Sequence, residues 1–433
     1  MGEVKWSASR IDVANYCRMR YWLKYVEHAP ESILPAFPKG SLLHNIIVGG
    51  ENENGEKENF WTRLGNTGDL VKVERSKRGE VKKYHYRGKA KYHDAKSFAL
   101  YAMGKWSQIL FRDDKLRRDI KKKTYSGKEL EDAEKKLIAW RDENHPWEIR
   151  NQIGEIAEQL FDILIDEGKP FDTELAFDFV LRNLYFAENP KNLFNLWFSG
   201  RIDEVRLRDG KVVIRDYKSG NPFIDQMKVK HDLQLTLYNA GLCSLVIKDD
   251  NLAEKLGLLE KRENYMGRRK DYMGNPIFID NEFEEEFFMI EAPFVAKKML
   301  EKNPDVRPTN LPKILHKSVR RNEHFFELMR MIKGTEESVN SGIIYAERGR
   351  KCDLCSFKYS CEKKLEDALG GGPKEDNGQE LFDFVGATYG KKFIVNEGNN
   401  PITISPVVSD IEHDVKIFKR PQRRFNFKRK TSY

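Results

Sequence analysis

One hairpin constrains the fold of this chain more than any other feature, and it lies in SGRIDEVRLRDGKVVIRDYKSG, residues 199–220. Asp209-Gly210 separates two runs rich in alternating apolar residues, and a type I′ turn favours this pair because both central residues need positive φ. A loop of these two residues alone sets Asp203 opposite Asp216 on the neighbouring strand. The sequence therefore predicts a tight β-hairpin in which two acidic side chains face each other.

Two facing carboxylates are a poor choice for a hairpin with a purely structural role. At about 5 Å they repel each other by roughly 3 kcal/mol at an effective dielectric constant of about 20. A divalent cation reverses the sign, because Mg²⁺ prefers carboxylate oxygens, water and substrate phosphate. Lys218 lies on the same strand face as Asp216, so its amine can orient or deprotonate an attacking water. The alternative for this stretch by itself is a solvent-exposed hairpin edge whose acidic residues have no function.

The order of these residues resembles a known nuclease family. Asp203 followed by Asp216-x-Lys218 is similar to the motif of the PD-(D/E)xK nuclease superfamily, and GRIDEV…IRDYKSG resembles its RecB-type branch. The resemblance implies that Asp203, Asp216 and Lys218 are catalytic. It also implies that His44, in GSLLH on an early helix, and the main-chain carbonyl of Tyr217 bind the metal together with the two acids.

Three further residues follow from the same resemblance. Gln234 and Tyr238, in QLTLY, match a glutamine and a tyrosine one helical turn apart that belong to the catalytic set of that branch. Glu174, which opens the strand before the hairpin, lies where such domains often have an acid. Each assignment has a structural alternative, because His44 lies among leucines and Gln234 and Tyr238 share one helix face that packing alone could explain.

The resemblance implies an α/β fold of the restriction-endonuclease type, with a mixed central sheet flanked by helices. The local patterns predict one capped helix over residues 7–27. Residues 49–165 are predicted to form a largely helical insertion that includes a basic hairpin near Gly79. We expect a nuclease domain over residues 1–366, followed by a linker and a basic tail over residues 367–433.

The cysteines suggest a second metal-binding site. Cys352, Cys355 and Cys361 form C-x2-C-x5-C within the segment 345–365, a spacing typical of thiolate ligands of zinc or an iron–sulfur centre, and Cys17 can supply the fourth ligand. One cysteine near the start and three near the end resemble the cluster-bearing RecB-type nucleases, such as AddB-type subunits and the CRISPR-adaptation exonucleases. The resemblance implies a [4Fe–4S] cluster that joins both ends of the domain. Zinc is the alternative.

The basic charge of the chain is concentrated in one segment. Residues 416–433 contain eight Lys and Arg and no Asp or Glu, so they account for the whole net charge of +8. Phe425 and Phe427 lie among the basic residues of KRPQRRFNFKRK, a composition typical of arms that bind single-stranded nucleic acid. A nuclear localisation patch or a solubilising tail explains the charge equally well.

These observations together predict a metal-dependent DNA nuclease that uses Mg²⁺ or Mn²⁺. The resemblance implies an exonuclease on single-stranded or resected DNA ends, in recombination, repair, replication or defence. The alternatives are a non-catalytic DNA-binding scaffold subunit of a helicase–nuclease complex and an RNA-processing nuclease. The sequence has no G-x-x-x-x-G-K-[ST] motif, so we expect any helicase partner to be a separate chain.

The sequence also predicts where the protein is found. It has no run of 18 uncharged apolar residues, and MGEVKWSASR lacks the apolar stretch of a signal peptide. We therefore expect a soluble cytoplasmic protein without membrane contact. A nucleoid-associated or nuclear location is compatible with the same features.

Overall fold

The computed structural model describes residues 4–368, apart from 30, 52–56, 78, 80, 135, 140–144, 187–188, 263–278, 343, 345, 347–351 and 353–354. The strands in this part of the chain are β1 (Lys5–Trp6), β2 (Gly50–Glu51), β3 (Lys57–Glu58), β4 (Leu70–Arg75), β5 (Val81–Tyr86), β6 (Asp172–Phe186), β7 (Asn189–Arg208), β8 (Lys211–Lys218), β9 (Glu284–Met289) and β10 (Leu315–Ser318). The α-helices there are α1 (Ala8–Tyr16), α2 (Arg18–Tyr25), α3 (Ala36–Ile47), α4 (Phe60–Arg63), α5 (Ala95–Lys121), α6 (Gly127–Glu134), α7 (Pro146–Glu167), α8 (Gln226–Lys230), α9 (Leu233–Lys248), α10 (Asp250–Lys255), α11 (Ala292–Lys302), α12 (Asn322–Asn340) and α13 (Lys358–Ala368). None of these helices is long and apolar enough to span a membrane.

Six of these strands form one mixed sheet. Its order is β1-β7-β8-β9-β10, and β6 pairs with β7 outside this row. β7 is antiparallel to both β6 and β8, whereas β9 is parallel to β8 and antiparallel to β10. The predicted α/β architecture with a mixed central sheet is therefore confirmed.

Successive residues of the central strands point alternately into two apolar cores, one on each face of the sheet. On one face, Val205, Ile214 and Phe287 pack with side chains of α1, α9 and α12. On the other face, Tyr217 and Phe288 pack with side chains of α3, α5 and α7. Since α5 and nearly all of α7 lie within the predicted insertion, this region is largely helical, as expected, and it supplies one of the two layers that cover the sheet.

The hairpin between β7 and β8 has the predicted turn and register. Asp209 and Gly210 have φ of 51° and 75°, the positive values that a type I′ turn requires. Pairing then runs outward from the turn to Glu204, which lies opposite Arg215. The paired ladder ends there, because the carboxylate of Asp203 accepts the N–H of Tyr217 at 2.9 Å. Asp203 thus caps the end of the ladder.

The first predicted helix is interrupted in the structure. The Ser7 side chain caps α1 by accepting the N–H of Arg10 at 3.3 Å, as predicted. The expectation of one continuous helix is wrong, since Cys17 has extended backbone angles (φ −170°, ψ 129°) and separates α1 from α2. This turn brings the buried Cys17 side chain into a small apolar cluster with Ile344 and Phe357, near the other end of the described chain.

Candidate active site

Three potential metal ligands converge at one end of the hairpin. Of the described residues, His44, Glu174 and Asp203 alone form a group of three His, Cys, Asp or Glu whose ligand atoms all lie within 4.8 Å of one another. His44 Nε2 lies 3.0 Å from Asp203 Oδ2, and the two side chains are 25% and 11% exposed. One imidazole and two carboxylates form a donor set that suits a divalent cation, and the exposure leaves room for water and substrate.

The registers of two strand pairs explain how the acids meet. β6 and β7 pair on both sides of Glu174, with Thr173 opposite Glu204 and Leu175 opposite Ile202, so Glu174 lies in register with Asp203. The register of β7 and β8 likewise places Asp203 beside Asp216. Three acids thus lie in a row across β6, β7 and β8.

The backbone at Glu174 is in an unfavourable conformation. Its φ is 51°, in the left-handed region that a residue with a side chain seldom adopts within a strand. Such strain costs on the order of 1–3 kcal/mol and is concentrated at functional sites. The Glu174 carboxylate, 16% exposed, lies 3.6 Å from the guanidinium of Arg201. This strained backbone conformation therefore places the Glu174 carboxylate at the end of the row of acids across β6, β7 and β8.

The charges of this group favour a bound cation. Burial lowers the pKa of His44, but the hydrogen bond and charge of Asp203 and the charges of Asp216 and Glu174 outweigh it and raise the pKa to about 9. Burial, followed by the charge of Asp203, raises the pKa of Glu174. The positive charge of protonated His44 thus balances the acids, and a divalent cation would compete with that proton.

The second half of the site is a hydrogen-bonded network around Asp216. Lys218 Nζ lies 2.8 Å from Asp216 Oδ2 and donates to Gln234 Oε1 at 2.6 Å. Gln234 Nε2 donates to Asp216 Oδ1 at 2.7 Å and to the hydroxyl of Tyr238 at 2.8 Å. The structure thus brings together four residues that the sequence assigned to the site: Asp216, Lys218, Gln234 and Tyr238. Asp216 does not belong to the three-residue ligand group.

The electrostatics of this network keep the lysine charged. Burial would lower the pKa of Lys218, but the charges of Asp216 and Asp232 raise it. The ammonium group is therefore a hydrogen-bond donor at neutral pH, which favours a positioning role over deprotonation of water. Burial is the largest cause that raises the pKa of Asp216, to about 7, and Lys218 opposes it.

Tyr217 connects the site to a buried ion network on the opposite face of the sheet. Its N–H faces Asp203, whereas its hydroxyl donates to Glu204 Oε2 at 2.7 Å. Arg215, completely buried, donates through Nε to Glu286 Oε1 at 2.7 Å and so ties β8 to β9. These ion pairs hold β8 and β9 together on the face of the sheet opposite the candidate site. The predicted role of the Tyr217 carbonyl as a metal ligand stays a prediction.

The cysteines meet at the place where the two ends of the described chain come together. Cys17, Cys355 and Cys361 belong to one apolar cluster, and the thiols of Cys17 and Cys352 interact electrostatically with that of Cys355. The turn of the cysteine segment is held by Ser356, whose Oγ donates to Glu31 Oε1 at 2.9 Å. The predicted convergence of the N-terminal cysteine with the other three is present.

The surroundings of these thiols suit a negatively charged centre. Arg20 interacts electrostatically with Cys355, and its buried Nε has no hydrogen-bond partner among the described residues.

Comparison with known proteins agrees with this geometry. The family model of the PD-(D/E)XK nuclease superfamily matches residues 5–362, which include every site residue described above. The chain therefore belongs to this superfamily of nucleases, which hydrolyse phosphodiester bonds with divalent metals. The match does not distinguish between branches of the superfamily. No curated protein matches the chain.

Proposed function

We propose that the protein is a RecB-type deoxyribonuclease that uses Mg²⁺ or Mn²⁺ and acts as an exonuclease on single-stranded or resected DNA ends. The observation that carries the proposal is the row of Glu174, Asp203 and Asp216 beside the charged amine of Lys218. A row of two buried acids and one half-buried acid is unfavourable without a cation, and superfamily membership supports nuclease chemistry.

The metal would be held by His44, Asp203 and Asp216, with the carbonyl of Tyr217, and Glu174 is added to this set because its carboxylate reaches the other ligand atoms. When bound, a divalent ion would lower the pKa of a coordinated water and offset the charge of the scissile phosphate. His44 would have to lose its proton before its Nε2 could bind the ion.

The remaining residues position the reactants. Lys218, fixed by Asp216 and Gln234, can donate one hydrogen bond to the attacking water or to a phosphate oxygen. Gln234 is in turn held by the Tyr238 hydroxyl at 2.8 Å, so the lysine has one preferred orientation. The substitution of either partner should therefore lower turnover by misplacing the ammonium group.

The four cysteines are proposed to bind a [4Fe–4S] cluster with a structural role. The position of Arg20 beside Cys355 supports a negatively charged thiolate centre, and the resemblance to cluster-bearing RecB-type nucleases favours a cluster over zinc. A link between Cys17 and Cys361 closes almost the whole nuclease domain, which we take as residues 1–366, so its loss should loosen the whole domain. The predicted basic tail, 367–433, lies outside the described residues from 369 onward and is proposed to bind single-stranded DNA.

The proposal is tested by cleavage of end-labelled DNA with Mg²⁺ or Mn²⁺. Asp216→Asn and Lys218→Met should each reduce cleavage by at least about a hundredfold and leave DNA binding largely intact. Asp209→Asn, in the turn of the same hairpin and able to keep positive φ, is the matched control and should cleave normally. Unchanged turnover in either site variant would refute the assignment.

Three further measurements separate the alternatives and the mode of cleavage. A wild-type protein that binds DNA but does not cleave it with either metal would favour the scaffold subunit. Preferential cleavage of RNA with the same sequence would favour the RNA-processing nuclease. Labels on the 5′ and 3′ ends, with a circular single strand as a control, separate exonuclease from endonuclease action.

A further inference from the structure

A cavity lies between the β4–β5 hairpin and α5, within the helical layer that covers the sheet. Its volume is about 560 Å³, and its walls combine aromatic rings with amines. The residues that matter here are Tyr84, Tyr86, Tyr101, Lys83, Lys91 and Lys105. Gly104, in the middle of α5, also lines it, and a Cβ there would meet no atom within 4 Å.

The cavity carries an excess of positive charge. Burial is the largest cause that lowers the pKa of Lys105; Arg63 and Lys91 lower it further, and Glu58, which Arg63 engages at 3.3 Å, opposes them. Glu74 lies opposite Lys83 across the hairpin. Since the amines outnumber these two acids, the walls would attract an anion.

The rings of the cavity are held in place by their neighbours. Tyr84 and Tyr86 both pack against His93, with ring centroids 5.4 and 5.9 Å away, and the Tyr86 hydroxyl shares a hydrogen bond of 2.9 Å with His93 Nδ1. Tyr101 packs against the buried Tyr92 at 5.4 Å. Rigid aromatic faces beside amines are the features with which proteins bind single-stranded nucleic acid.

Helix α4, next to the cavity, contacts the segments that carry two of the candidate metal ligands. Arg63, whose guanidinium lies 5.8 Å from the Tyr101 ring, donates to the carbonyl of Asn45 at 3.2 Å, and Asn45 directly follows His44. Asn59, the N-cap of α4, donates to Thr173 at 3.0 Å, next to Glu174. One short helix therefore lies between the cavity and the ligand group.

We propose that this cavity binds single-stranded nucleic acid, with phosphates at Lys83, Lys91 and Lys105 and bases stacked on its tyrosines. The delivery of that strand to the metal centre rests on the proposed function, whereas binding in the cavity does not. The site lies in the insertion, outside the row of acids, so it would select single strands independently of cleavage.

Substitutions at Gly104 test the proposal with little risk to the fold. Gly104→Glu places a carboxylate in the cavity, and Gly104→Gln is its uncharged match of nearly equal size; both residues favour helix more than glycine does. Binding of fluorescein-labelled 20-mers of dT and U is measured by anisotropy in the presence of a chelator. Gly104→Glu should bind about tenfold more weakly than Gly104→Gln. Equal affinity of the two variants overturns the proposal.

Surface variants provide a second test if Gly104→Glu fails to fold. Lys91→Glu should weaken binding and reduce the slope of log K against log salt by about 0.7, the value for one phosphate contact on a single strand. Lys297→Glu, exposed on α11, makes the same change of charge outside the cavity and should have no comparable effect. Tyr84→Leu should weaken binding by about five- to a hundredfold through lost stacking. Equal effects of Lys91→Glu and Lys297→Glu contradict the proposal.

The same probes separate this inference from the proposed function. A protein that binds the 20-mers in a Gly104-dependent manner but cleaves nothing would sustain the cavity and refute the nuclease proposal for this chain. A protein that cleaves DNA while both Gly104 variants bind the 20-mers equally would sustain the nuclease proposal and refute the proposed role of the cavity. The affinity for blunt duplex DNA of the same length should be equal in Gly104→Glu and Gly104→Gln. A loss of duplex affinity as large as the loss for the single strand would refute the preference for single strands.

Discussion

Raising the pH from 7 to 9 should destabilise the metal-free protein, and the proton on His44 should be the cause. The pKa of this imidazole is about 9 in the folded protein, above its ordinary value of 6.5, because Asp203 and the other acids outweigh the effect of burial. A group with a raised pKa contributes stability that is complete below its unfolded pKa and is lost as the pH rises through its folded pKa.

The size of the effect follows from these two values. At pH 7 the unfolded imidazole is largely neutral while the folded one keeps its proton, and at pH 9 the folded one is half titrated. The contribution of His44 to the free energy of unfolding should therefore fall by about 2 kcal/mol between these pH values. The raised pKa values of Asp216, about 7, and of Glu285, about 8, act in the same direction and reach into this window, so the share of His44 is the difference between the wild type and a His44 variant.

Urea denaturation at pH 7, 8 and 9 with a chelator measures this loss. His44→Gln should lose about 2 kcal/mol less stability than the wild type over this range, whereas His231→Gln, a substitution at an exposed histidine on the protein surface, should behave as the wild type does. Added Mg²⁺ should stabilise the protein more at pH 9 than at pH 7, because about half of the folded molecules then carry no proton on His44 that the ion must displace. Equal losses of stability in His44→Gln and in the wild type would refute this assignment to His44.

Three other substitutions test separate parts of the account. Tyr217→Phe removes a hydrogen bond to the buried Glu204 and should lower the free energy of unfolding by about 1–3 kcal/mol in urea; no change would mean that the network does not support β8. Cys17→Ser should remove the visible absorbance of anaerobically purified protein and lower Tm, whereas Cys243→Ser, in the main core, should keep the absorbance; a colourless wild type with bound zinc would contradict the cluster. Glu174→Gln should weaken Mn²⁺ binding measured by calorimetry, and unchanged affinity would remove Glu174 from the ligand set.

The hairpin could be predicted from sequence because its determinants are local. Asp209-Gly210 permits positive φ at both turn positions, and the register of every later pair follows by counting outward from the turn. The placement of Lys218 on the same strand face as Asp216 follows from strand alternation, whereas Gln234 is assigned from the resemblance of QLTLY to the RecB-type branch. These elements carry the chemistry, so the superfamily could be recognised from short motifs.

The features that could not be predicted depend on contacts between distant segments. Glu174 is a candidate from the resemblance alone, but its place beside Asp203 depends on the register of β6 against β7, which no local turn signal specifies. The break at Cys17 interrupts a sequence with a continuous helical pattern, so packing against the cysteine segment overrides propensity. The charges at Glu204 and Arg215 alternate with apolar residues, a pattern typical of a solvated strand face, yet both are buried because each is paired.

The most direct test of the central claim is a crystal structure with Mn²⁺, in which anomalous scattering locates the ion. We expect a peak within bonding distance of His44 Nε2 and of the carboxylates of Asp203 and Glu174, with Asp216 completing the proposed ligand set, and no such peak in Asp203→Asn. A protein that binds Mn²⁺ elsewhere, or that keeps these three side chains in place with no ion between them at saturating Mn²⁺, would contradict it.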